Sequence, residues 1–91
     1  VSVKVNIFYP ALRALIGHTD EVRLEGSTVG ECLDNLVSRY PGARELLFDP
    51  NGRLLKHVYV YVNFESMFKA DLNRPVTDKD ELILAVLAIG G

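Results

Sequence analysis

The chain ends "ELILAVLAIGG", an apolar run over Leu82–Ile89 that stops at Gly90, Gly91 and a carboxylate. With glycine at about 7% of residues in general, two at a terminus arise by chance in roughly one chain in 200. A carboxylate is a poor electrophile until it is converted to an acyl-adenylate. To be adenylated it must thread a narrow channel and present its carbonyl to a nucleophile with no side chain in the way. Glycine lacks Cβ, so its backbone approaches a partner closely and takes φ/ψ values closed to other residues. The terminal pair is where chemistry is expected: Gly91 offers the carboxylate and Gly90 acts as spacer. The alternative reading of the same residues is a frayed end with no role.

Other reactive residue types stand alone. No lysine follows a glycine, which excludes a Walker-type phosphate loop, and there is no GxGxxG, CxxC, HExxH or GxSxG. His18 and His57 are isolated, one before a turn and one entering a strand. Asp78 and Asp80 flank a turn and read as turn formers. Cys32, the single cysteine, falls in the apolar stripe of a helix and reads as a small core residue. Nothing here catalyses a reaction unaided, so the chain is not expected to be an enzyme by itself or to hold a metal site of its own.

Composition narrows the class. Ninety-one residues suffice for one domain, expected over 1–91 with a flexible tail at 88–91, and 48% hydrophobic with 24% charged is globular. A net charge of −2 with interleaved signs argues against nucleic acid, whose binders carry a basic stripe. One cysteine excludes an internal disulfide, and the longest apolar run, eight residues, is under half of what crosses a bilayer. The expected setting is the cytoplasm, away from membranes.

Elements must position the tail. "VSVKVNIFYP" alternates, with Val1, Val3, Val5 and Ile7 on one face, and reads as a half-buried strand closed by Pro10. "ALRALIG" is a short helical turn stopped by Gly17, and "TDEVRLEG" a second strand returning beside the first. "STVGECLDNLVSRYPG" is the strongest helix, with Thr28 and Glu31 as a capping box (or Ser27 as the cap) and a stripe of Val29, Cys32, Leu33, Leu36, Val37 and Tyr40. "ARELLF" forms another short helix, "DPNG" a type I turn and "HVYVYV" a third strand. "NFESMFKADLNRP" is irregular with room for a short extra strand, and "TDKD" turns into the last strand, "ELILAVLA". That strand is apolar on both faces, Leu82, Leu84 and Val86 against Ile83, Ala85 and Leu87, as a strand in the middle of a sheet is.

Strand–strand–helix–strand–strand, with the strongest strands first and last, predicts an α+β fold. It is the β-grasp, ubiquitin-like arrangement: a mixed four- to five-stranded sheet with the main helix on one face and the last strand parallel to the first at its centre. Phe8 and Tyr9 then lie near Leu87 and Ile89. Ala88–Gly91, extended, reaches about 13–14 Å at roughly 3.3–3.6 Å per residue, far enough to enter another protein's active site.

"GSTVGECLDNLVSRYPG", "VYVYVNFES" and "TDKDELILAVLAIGG", in this order and spacing, resemble segments of the sulfur-carrier family related to MoaD and ThiS. The branch most resembled is the MoaD-like one that includes carriers for cysteine biosynthesis. The chain departs from the family in having Phe64 after the "VN", Lys79 inside the acidic turn and no proline before the tail. The resemblance implies a mechanism. A ubiquitin-activating-type enzyme uses ATP to adenylate Gly91, and persulfide sulfur displaces AMP to leave a thiocarboxylate. An acceptor enzyme, such as the large subunit of a molybdopterin synthase, then takes the sulfur for molybdopterin, thiamine, cysteine or tRNA thiolation. Cys32 is then a bystander, no cofactor is bound, and ATP and any zinc belong to the partner.

Docking requires exposed apolar residues in so small a domain. Phe8, Leu87, Ala88 and Ile89 are candidates at the tail's root, with Phe64, Met67 and Phe68 as a second cluster. Two other functions stay open: a modifier joined to lysines through Gly91, and a β-grasp interaction module with an accidental Gly-Gly end.

Overall fold

The computed structural model describes residues 2–67 and 72–86, with 65–67 as backbone. The chain runs β1 (Ser2–Phe8), α1 (Pro10–Leu15), β2 (Glu21–Glu25), α2 (Val29–Arg39), α3 (Ala43–Leu47), β3 (Val58–Val62), β4 (Glu65–Met67) and β5 (Glu81–Val86). The strands form one sheet in the order β2-β1-β5-β3-β4. β5 occupies the middle, parallel to β1 and antiparallel to β3, as its two apolar faces predict. The β-grasp expectation holds in its strand directions as well as in its element order.

One face of the sheet carries the core. Val3, Val5 and Ile7 of β1, Leu24 of β2, Val58, Val60 and Val62 of β3, and Leu82 and Leu84 of β5 are buried. They join Val29, Cys32, Leu33, Leu36 and Val37 of α2 in one cluster. Each such Val or Leu withdrawn from water contributes about 1.5–3 kcal/mol, so α2 is held by its stripe rather than by propensity.

Local chemistry sets the joints. Pro10 does not so much close β1 as open α1: Tyr9 is the N-cap and Pro10 the first helical residue, where its missing N–H costs nothing. At the start of α2, Thr28 Oγ1 accepts from Glu31 N–H at 3.1 Å. The Glu31 carboxylate reaches one residue further back than a capping box requires, accepting from Ser27 N–H at 2.8 Å. The next two donors of that first turn, Val29 and Gly30 N–H, bond to the carbonyls of Arg74 and Leu72, so the 72–76 segment caps the helix from outside. "DPNG" is the expected turn, Gly52 N–H donating to Asp49 O at 2.9 Å. The short extra strand is β4, paired antiparallel to β3 through a two-residue turn of Asn63 and Phe64.

Candidate functional site: the root of the tail

Because β1 and β5 are parallel, their carboxyl ends emerge at the same end of the sheet. Phe8 pairs with Ala85, and Ala85 pairs on its other side with Tyr59. One step back, Asn6, Ile83 and Tyr61 form the next row. By strand alternation these residues lie on the face opposite α2, and each is part- or fully exposed. The helices leave this face open, and an aromatic-rich surface extends to the end of β5.

Phe8 is 55% exposed, a large cost for a small domain to carry without use. Arg13, on the last turn of α1, lies beside it with the guanidinium carbon 5.8 Å from the ring centroid. The Arg13 Nε–H also donates to the Ile7 carbonyl at 2.8 Å. Tyr9, the next residue, points inward: its hydroxyl donates to Leu46 O at 2.8 Å, and burial pushes its pKa up. The Tyr9 and His57 rings meet in a T-shaped pair, centroids 6.4 Å apart, which ties the start of β3 to the end of β1.

Phe64 is 77% exposed but belongs elsewhere. Val62 pairs with Leu82 near the start of β5, whereas Val58 pairs with Val86 at its end. The turn after Val62 thus sits at the opposite end of the sheet from the tail's root. The two aromatic candidates, Phe8 and Phe64, are not brought together. Leu87, Ala88, Ile89, Gly90, Gly91 and Phe68 lie outside the described residues, as does the 88–91 tail as a unit, and Met67 is described as backbone.

Cys32 is fully buried against Gly26, where a Cβ would meet the Cys32 amide nitrogen at 2.7 Å. Burial, reinforced by the neighbouring Glu31 carboxylate, pushes the Cys32 thiol up, away from the thiolate form that reacts. Among the described residues no three His, Cys, Asp or Glu side chains gather as metal ligands, and no helix is long and apolar enough to cross a membrane.

Sequence reasoning placed Phe8 correctly on the exposed face and missed two residues that organise the ends of the sheet. One is Arg13, a single basic residue in a six-residue helix, which carries no pattern of its own. The other is Asn63, whose side chain bonds to both Asp80 and Glu81. Its position directly after an alternating strand was the available signal.

A scan against protein-family models gives no match, and neither does a search of curated proteins. Solved structures do match. A chain of the Amycolatopsis orientalis BexX/CysO complex is 33% identical over 98% of this chain and 99% of its own, with a TM-score of 0.83. Mycobacterium tuberculosis CysO is 32% identical over 92% and 97%, with a TM-score of 0.80. The chain belongs to the MoaD/ThiS-like, ubiquitin-fold family of sulfur carriers and modifiers. Haloferax volcanii SAMP1, 29% identical with both chains covered in full and a TM-score of 0.83, is similar to the same extent in fold. In this chain the open face and the end of β5 are one surface, because Phe8, Ala85 and Tyr59 lie side by side there.

Proposed function

We propose that this chain is a sulfur carrier that works through the Gly91 carboxylate. A ubiquitin-activating-type enzyme brings that carboxylate to the α-phosphate of ATP, releasing pyrophosphate and forming an acyl-adenylate. The terminal sulfur of a persulfide donor attacks the acyl carbonyl and expels AMP, forming an acyl disulfide. A second thiol then reduces that S–S bond, leaving a disulfide on the donor side and a thiocarboxylate on Gly91. Its sulfur ionises more readily than an ordinary thiol and is a good nucleophile. The carrier then donates it inside an acceptor enzyme serving molybdopterin, thiamine, cysteine or tRNA thiolation. Phe8, Leu87, Ala88 and Ile89 dock the root of the tail, and Phe64, Met67 and Phe68 form a second contact.

The observation that carries this reading is the end-to-end likeness to CysO, 33% identical over 98% of the chain. The likeness to a protein named small archaeal modifier protein 1, at 28% identity over 94% of the chain, favours a second reading in which Gly91 is joined to target lysines. The two share every step up to the last. Intact mass after incubation with ATP, a persulfide donor and an adenylating enzyme separates them from an inert module: one oxygen is exchanged for sulfur, and deletion of Gly91 abolishes the exchange. Ladders of covalent adducts in denaturing gels, with no thiocarboxylate in the free pool, would replace carriage by modification.

A further inference from the structure

Arg13 is held from two sides by the end of β1. Its Nε–H donates to the Ile7 carbonyl at 2.8 Å, and its guanidinium stands 5.8 Å from the centre of the Phe8 ring. With Nε committed to the backbone, the edge formed by the two Nη groups is the part of the fork left to bond outward. No carboxylate among the described residues takes it. The ion pairs of the open face run instead from Lys4 to Glu21 and Glu81, further back along the sheet. A guanidinium already fixed by a carbonyl and a ring loses little freedom on binding a carboxylate, and the Nη edge matches that group bidentately. Arginine beside a half-exposed aromatic is the composition in which interface energy concentrates.

We infer that Arg13 is a specificity-determining residue: its Nη edge receives a carboxylate side chain on the rim of the adenylating enzyme's tail channel while Phe8 packs beside it. The inference rests on the function proposed above. The anion is a protein carboxylate and not the nucleotide. Phe8 pairs with Ala85, and from Val86 to Gly91 an extended chain advances about 17 Å, so the phosphate of the adenylate forms well beyond the reach of Arg13. Arg13 therefore acts on recognition of the carrier and not on the chemical step.

The test is ATP–pyrophosphate exchange by a ubiquitin-activating-type enzyme that turns over the wild-type chain, measured against carrier concentration. R13E raises KM roughly tenfold or more, the scale of a charge-assisted pair at an interface, and leaves kcat unchanged. R13K keeps the charge but loses the planar fork, and falls between wild type and R13E. K79E makes the same change of net charge in the exposed turn at the other end of β5 and leaves KM as it was. Should R13E fail to fold by circular dichroism, R13Q with R13K gives the same comparison. An R13E variant with the wild-type KM, equal effects of R13E and K79E, or a loss confined to kcat overturns the inference and leaves the carrier function standing. If no ubiquitin-activating-type enzyme of those tried supports exchange with the wild-type chain, both the inference and the function it rests on are removed.

Discussion

Asn63 and Asp80 meet side chain to side chain at the start of β5, Nδ2–H donating to Oδ1 at 2.7 Å. The same Asn63 side chain accepts from Glu81 N–H at 2.9 Å, and its own backbone N–H donates to the Glu81 carbonyl at 2.9 Å. The turn that ends β3 is thus fastened to the turn that begins β5.

Replacing Asn63 tests that fastening. Asn63 holds φ 51°, a left-handed conformation asparagine tolerates better than alanine. Asn63→Ala loses both side-chain bonds and adds backbone strain, and is expected to cost about 1–2 kcal/mol, read from the urea midpoint at unchanged slope. Asn63→Gly relieves the strain without restoring the bonds, so its smaller loss reports the bonds together with the chain entropy that glycine adds. A midpoint unmoved in both variants would show that the clamp contributes nothing.

Asp80 gives the clamp a pH dependence. Its pKa is lowered, first by the hydrogen bond from Asn63 and then by that from Thr77 N–H. A carboxyl lowered in the folded state contributes stability that is present above its unfolded value, about 3.9, and is lost as the pH falls through the folded value. Wild-type melting temperature is therefore expected to fall more steeply below about pH 4 than that of Asp80→Asn, whose side chain does not titrate. Parallel curves for the two proteins would remove Asp80 from the account.

Phe64 occupies the second position of the same turn at φ 66°, 77% exposed. A two-residue turn with both residues at positive φ favours glycine there, and the bulky ring gains no burial in exchange. Phe64→Gly is expected to raise stability by about 0.5 kcal/mol, the strain relieved less the entropy that glycine loses. If Phe64 is a docking residue, the same variant transfers sulfur to its acceptor less well although it melts higher. A variant both more stable and fully active would leave the ring without a role.

Much of the fold was legible because it rests on patterns that belong to single segments. The two apolar faces of 82–87 placed β5 in the centre, the strict alternation of 2–8 gave β1 its buried side, and Thr28 with Glu31 marked the start of α2. What escaped was whatever depends on a neighbour distant in sequence. The Asn63 clamp joins residues 17 and 18 positions apart, and Gly30 finds its acceptor in Leu72. The β3–β4 turn lacks the glycine that usually announces a hairpin, so β4 was faint. At the site, Phe8 was legible from its place on the outward face, whereas Arg13 was not, because what distinguishes it is the carbonyl and the ring that hold it.

The central place of β5 also governs the order in which the molecule can be completed. A ribosome delivers β2–β1 and β3–β4 as two separate hairpins before residue 81 emerges, and neither can share a ladder with the other until Glu81–Val86 slides between them. The segment that leads to the carboxylate proposed to react is also the keystone of the body, so a copy that presents Gly91 has already received the piece that lets it fold.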